Sequence, residues 1–373
     1  MAPSLHNGVV MRQTEMGDIS QMKGGGEMNI TRIGLDLAKN VFQVHGVDAN
    51  ERVVLRRQLK RSEVLRFFAK LDRIETCIVG MEACCGSDYW ARELTKLGYD
   101  ARLMNPSFVK PYVKSNKNDA RDAEAICEAV GRPTMRFVPV KTLEQQDLLL
   151  LHRQREQWIK RRTALVNHVR GLLGNYGIVI ANRIGNLRQA LPRLLEDAEN
   201  DLTELARTVF AECYRELQTL DNEIVALDMR LSHIAETRTD CRRLMSIPGI
   251  GPMTATAFVA QMGDGRQFNQ ARQCAAYLGL VPAQYSSGGK EQLGGISKRG
   301  NRYLRTLLIH GARADIRAAK QRREKQVVLA RDEWSCALEA RRHQNVAVVA
   351  LANKNARIAW ALLRDETEYR AVA

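Results

Sequence analysis

The sequence predicts an α/β domain built on a mixed sheet, followed by a mainly all-α remainder. Three observations lead there. Short β-branched runs with turn material between them dominate residues 30–60, helix and strand patterns alternate from about residue 62, and beyond residue 142 the apolar residues recur at helical spacing. In order, IGLDLA, VFQVHGV and VVLRRQL read as strands. A helix is expected over about 62–71 with Ser62 as N-cap, then the apolar strand CIVGMEA (77–83) and a helix over about 87–97. A strand near 101–104, closed by Asn105-Pro106, precedes a helix from about 118 to 129.

Residues 142–174 read as one long helix, with an apolar face and a second face carrying Arg153, Arg155, Lys160, Arg161, Arg162 and Arg170. Gly171, Gly174 and Gly177 mark its end. Residues 202–237 form another long helix, whose Leu217, Leu220, Ile224, Leu227 and Leu231 approach the heptad spacing of a coiled coil; a plain bundle fits equally. From Cys241, LMSIPGIGPMTATAFVAQMG reads as helix, tight turn, helix. Backbone N–H groups around Gly249 and Gly251 could there meet a phosphate at a helix N-terminus, or the hairpin could simply pack. Helices at about 301–319 and 344–363 close the chain. The partition is an extension at 1–27, expected to be disordered with Met28 as the true start; an α/β domain at 28–141; a helical, coiled-coil region at 142–240; and a C-terminal domain at 241–373.

Lys and Arg total 57 against 42 acids, a net charge of +15, which makes nucleic acid the leading partner through counterion release. An anionic membrane surface fits less well, because the cations are spread over several segments. Hydrophobic content of 45% argues against a disordered chain. The eight cysteines include no C-x-x-C pair, and the seven histidines are scattered, so no zinc site is expected. Without a secretory signal or an apolar run of eighteen residues, the chain reads as cytoplasmic and nucleoid-associated, with buried, reduced thiols.

Four acids stand out. Asp36 and Glu82 interrupt or end apolar strands, where an unpaired carboxylate is costly. Asp119 and Asp122 lie three apart at the start of a helix and so share a face, although Asn118 and Asp119 could simply cap that helix. Together such a set can hold two divalent cations roughly 4 Å apart, one activating the attacking oxygen and one stabilising the leaving oxygen. Hard oxygen donors select Mg²⁺. Downstream, GLVPAQYSSGGKEQLGGISKRGNRYLR sets Ser286 and Ser287 against a Gly-Gly pair and then presents Lys290, Lys298, Arg299, Arg302 and Arg305 as phosphate contacts. Its hydroxyl is either a nucleophile towards a phosphodiester or ordinary turn material.

The order of strand Asp, three-stranded opening, strand Glu and paired helix Asp resembles the RNase H-like fold of RuvC resolvases. The segments GLDLAKNVFQVHGVD, GMEACCGSDYWAREL, KNDARDAEAI, SIPGIGPMTATA and GLVPAQYSSGGKEQLGGISKRGNRYLRTLLIHGAR are together similar to the DEDD transposases of bacterial insertion sequences, the insertion-sequence one-ten family and its one-one-one-one subgroup. The resemblance covers residues 29–363. It implies a RuvC-like domain joined through a coiled coil to a transposase domain, in a recombinase directed by a structured bridge RNA and working as a homo-oligomer (dimer or tetramer) with no membrane partner. It carries the catalytic quartet onto Asp36, Glu82, Asp119 and Asp122 and the nucleophile onto Ser287, with Ser286 a bystander. The implied intermediate is a covalent phosphoserine, formed in a composite site because acids and serine fall in separate domains. Two other classes remain open on the residues: a Holliday-junction-type endonuclease, which needs no serine, and a non-catalytic nucleic-acid-binding protein.

Overall fold

In the computed structural model the described residues are 29–73, 76–113, 119–326 and 330–370. The expectations for residues 1–27 and for a start at Met28 lie outside them. The chain divides into two compact units, one ending at Val140 and the other beginning at Lys141.

The first unit is a six-stranded mixed sheet. Strands β1 (Arg32–Asp36), β2 (Val41–Val47) and β3 (Val53–Lys60) run antiparallel as a meander. A 3₁₀ turn at Arg61–Glu63 leads into α1 (Val64–Lys70). Lys60 N–H donates to Glu63 Oε2 (3.1 Å), so Glu63, and not the expected Ser62, closes this helix start. Then β4 (Ile78–Glu82) adds parallel to β1, followed by α2 (Ser87–Lys96) and β5 (Asp100–Met104), parallel to β4. A short α3 (Pro106–Val109), α4 (Asp119–Val130) and the antiparallel β6 (Phe137–Val138) complete the spatial order β3-β2-β1-β4-β5-β6. This is the mixed sheet that the RNase H-like expectation required.

Alternation sorts the two faces. Ile33, Leu35, Val79 and Met81 are buried with Phe68, Trp90 and Leu94 on the α1–α2 face. Gly34 and Gly80 face α4: a Cβ on Gly34 would lie 2.1 Å from Ala123 O, and one on Gly80 2.6 Å from Val130 Cβ. Removing both side chains lets the helix backbone settle directly on the sheet.

The second unit is helical. The long α5 (Leu143–Gly174) opens with a capping box in which Thr142 Oγ1 accepts from Gln145 N–H and Gln145 Oε1 from Thr142 N–H. After α6 (Ile184–Glu196), α7 (Glu204–Thr237) runs back antiparallel to α5. The apolar row Leu217, Leu220, Ile224, Leu227 and Leu231 is buried along α7. Three of the six cations expected on the polar face of α5 engage α7. Arg155 binds Asp228, Arg162 binds Asp221 (3.0 Å), Arg161 reaches Glu216 (3.4 Å), and Arg170 donates to Ile180 O (3.1 Å). The guanidiniums of Arg155, Arg161 and Arg162 tie α5 to α7, while Arg170 braces the loop that follows α5.

A compact core follows from α8 (Thr239–Met245), α9 (Pro252–Met262), α10 (Ala271–Tyr277), the hairpin β7 (Pro282–Gln284) and β8 (Leu293–Ile296), α11 (Arg302–Glu324), α12 (Ala330–Arg341) and α13 (Gln344–Arg364). By length and mean hydropathy α13 could cross a membrane, although Asn353, Lys354, Asn355 and Arg357 interrupt its apolar residues. Its Val348, Leu351, Ala352, Ala356, Trp360 and Leu363 are buried, and Trp360 Nε1 donates to Gly265 O (2.8 Å), as in the central helix of a packed domain.

Candidate active site

The acids of the first unit gather because the sheet register brings them to one end. The β1–β4 register ends at the pair Gly34↔Gly80, and Asp36 and Glu82 each stand two residues beyond it. Both therefore lie on the α4 face, side by side at the C-terminal ends of parallel strands, and both are half-buried. Asp119 opens α4 and the half-buried Asp122 falls in its first turn, where the helix dipole favours anions. Because Ala123 sits over Gly34, this acidic end of α4 lies at the end of β1 that carries Asp36.

Cys84 registers the field of the pair. Partial burial of its thiol, and then the carboxylates of Glu82 and Asp36, hold it above the ordinary thiol value. Among the described residues no three His, Cys, Asp or Glu side chains converge into a ready cage, and the side chain of Asp119 lies outside them. The donors are carboxylates throughout, a set suited to a hard divalent cation.

In the second unit the serine segment is a β-hairpin, where turn material was expected. Ser287 and Lys290 form a bridge across its tip, with Lys290 N–H donating to Ser287 O (3.1 Å). Gly288 and Gly289 take φ of 57° and 77°, the two left-handed positions of a type I′ turn. The two hydroxyls differ. Ser286 Oγ accepts from Gln284 Nε2 (2.9 Å), whereas Ser287 Oγ has no hydrogen bond among the described residues.

The comparisons with known proteins cover both units. A DEDD family model described as a transposase matches residues 33–178, and one described as the transposase IS116/IS110/IS902 family matches residues 241–327. The chain is 53% identical over 346 residues to a probable family 20 transposase of Pseudomonas aeruginosa, covering 92% of this chain and 99% of that protein. It is 44% identical over 373 residues, the whole of both chains, to the transposase for insertion sequence element IS1111A of Coxiella burnetii. A third relative, the transposase for insertion sequence element IS1328 of Yersinia enterocolitica, is 37% identical over 342 residues, 91% of this chain and 99% of its own.

The chain belongs to the IS110 family of insertion-sequence transposases. It is accordingly an enzyme that acts on DNA.

The basic residues expected at the transposase's nucleic-acid surface fall into two groups, exposed and buried. Lys290, Lys298, Arg299 and Arg302 are exposed. Arg305 is a correction: it is 8% exposed and donates from Nη1 to Leu278 O (3.0 Å) and Arg299 O (2.8 Å). Burial, and then Arg302, push its pKa down, and it clasps the backbone below the hairpin instead of facing solvent. The same junction is drawn tight at Gly300, where a Cβ would lie 1.9 Å from Tyr277 O. Gly249 is likewise structural: its φ is 83° and a Cβ there would meet Gly311 O at 2.7 Å, so the turn packs on α11. Gly251, the exposed N-cap of α9, has open space around its Cα.

Sequence reasoning missed Gly34 and Gly80. The signal was present, because Gly34-Leu35-Asp36 and Gly80-Met81-Glu82 repeat the pattern Gly-x-acid on two strands. It also missed Gln284, which occupies the Ser286 hydroxyl. The cysteines are free, as expected, but Cys84 and Cys85 are exposed and Cys213 and Cys336 half-buried, so burial does not hold for all eight.

Proposed function

We propose that this transposase cleaves and rejoins DNA through a serine nucleophile, with divalent cations, Mg²⁺ by donor chemistry, held by Asp36, Glu82, Asp119 and Asp122. The observation that carries the reading is the placement of Asp36 and Glu82 at one end of adjacent parallel strands, beside the acidic start of α4. When bound, the cations would neutralise charge on the scissile phosphate and lower the barrier to attack. The four carboxylates bind and orient them there.

Ser287 Oγ attacks phosphorus, forming a phosphoserine ester as one P–O bond of the strand breaks and a strand hydroxyl leaves with a proton. Attack by a strand hydroxyl on that ester reverses the step and returns Ser287. The hydroxyl of Ser286 is engaged by Gln284, which favours Ser287 as nucleophile. The exposed Lys290, Lys298, Arg299 and Arg302 bind phosphates, joined by backbone N–H groups at Gly251.

Guidance by a bridge RNA and assembly as a homo-oligomer rest on the family resemblance. Guidance is tested by altering the loops of a structured RNA from the DNA flanking the gene and asking whether the insertion site follows the change. For the acids, the test is metal-dependent strand cleavage. Asp36→Asn and Glu82→Gln should each lower it by at least about a hundredfold while leaving DNA binding intact. Wild-type rates in Asp36→Asn would remove the acids from the chemistry.

A further inference from the structure

The first unit carries an open cleft of about 840 Å³ whose walls combine aromatic and cationic side chains. Asn40 ends the β1–β2 turn and Val41 opens β2, Lys60 ends the edge strand β3 and Arg61 opens the 3₁₀ turn after it, and Tyr89 and Trp90 lie at the start of α2. Tyr89 is 43% exposed, a large ring left open to solvent, and is held edge-on against the buried Trp90 with ring centroids 5.2 Å apart. The Arg61 guanidinium lies 5.1 Å from the Trp90 ring centroid and 5.8 Å from that of Phe42. It is thereby fixed at the cleft as a planar, electropositive surface. Lys60 is exposed beside it. An exposed ring and two cations lining one cleft match an unpaired nucleotide, whose base stacks while its phosphate is neutralised.

The position is informative too. Asn40 lies four residues after Asp36, and α2 begins five residues after Glu82. The cleft therefore opens at the same end of the sheet as the two acids, on the α1–α2 side. Along the chain only residues 37–39 separate Asp36 from Asn40 of the cleft, and residues 83–88 separate Glu82 from Tyr89.

We infer that this cleft is a single-stranded DNA subsite, in which Tyr89 stacks an unpaired base and Lys60 and Arg61 hold its phosphate, anchoring a strand that passes the acids. The inference rests on the reading of Asp36 and Glu82 as the cleavage centre for its place along the strand. DNA is the occupant because the enzyme acts on DNA and the cleft shares its sheet end with those acids.

The test is fluorescence anisotropy of a labelled oligothymidylate with full-length protein carrying Asp36→Asn, in chelator, so that no cleavage is involved. Tyr89→Ala should weaken binding about tenfold, and Tyr89→Phe, which keeps the stacking face, by no more than about twofold. Lys60→Ala should lower the salt slope by about one. Affinity for a duplex of equal length should not change in Tyr89→Ala, and circular dichroism should report unchanged folding. Ultraviolet crosslinking of an iododeoxyuridine-containing strand should map to the peptide bearing Tyr89. Equal binding by Tyr89→Ala, an equal loss for duplex, or retention of oligouridylate RNA alone would overturn the inference. Because binding is read without metal, failure of the acids as a cleavage centre would show separately, in the activity of Asp36→Asn.

Discussion

His152 shows how strongly a single buried residue can tie this chain to pH. It is 2% exposed, with Nδ1 3.0 Å from Tyr303 Oη and Nε2 3.0 Å from Thr256 Oγ1, linking α5 to α11 and α9. Burial, with Arg155 adding to it, pushes its pKa down to about 4. The unfolded chain binds this proton more readily, so stability rises with pH between about 4 and the ordinary value near 6.5. Acidifying through that window should cost on the order of 3 kcal/mol. Thermal unfolding followed from pH 7 to pH 4.5 should show that loss in the wild type and a flatter profile in His152→Gln. Arg305 makes a second case. Arg305→Ala leaves the carbonyls of Leu278 and Arg299 without their donor and should destabilise by roughly 1–3 kcal/mol. The exposed Arg302→Ala should change the melting midpoint little, with calorimetry separating the two. No sequence pattern distinguishes these two arginines, because the carbonyls that bury one of them converge only through folding.

At the scale of elements, the sheet and its acids were legible because strand alternation is local. Asp36 and Glu82 break otherwise apolar runs, and their strands form as expected. The serine hairpin was not legible, since strands of three and four residues around four glycines look like turn material. Helix α6 also escaped, with Pro192 inside it disturbing the helical pattern. The pairing of Arg155 with Asp228 joins residues 73 positions apart, a distance over which charge spacing carries no information. The α4–sheet contact supplies a prediction of its own. Gly34→Ala and Gly80→Ala would drive a methyl into Ala123 O and Val130, costing roughly 1–3 kcal/mol or more. Denaturant titration should show the loss, and divalent-metal affinity should fall with it as α4 is pushed from the sheet.

For the whole molecule, the charge of +15 sets the terms of DNA binding. Affinity should fall steeply and linearly in a plot of log K against log salt, and each of Lys298→Ala, Arg299→Ala and Arg302→Ala should reduce the slope by about one. Arg305→Met should leave that slope unchanged, since its guanidinium faces the interior. The acids and Ser287 belong to different compact units, so each part of the chemistry has its own readout. The serine mechanism is tested most directly by trapping protein on DNA after denaturation. The expected result is a covalent adduct with wild type and Ser286→Ala that is absent in Ser287→Ala. An adduct that persists in Ser287→Ala, or cleavage by wild type that leaves only free DNA ends, would contradict it.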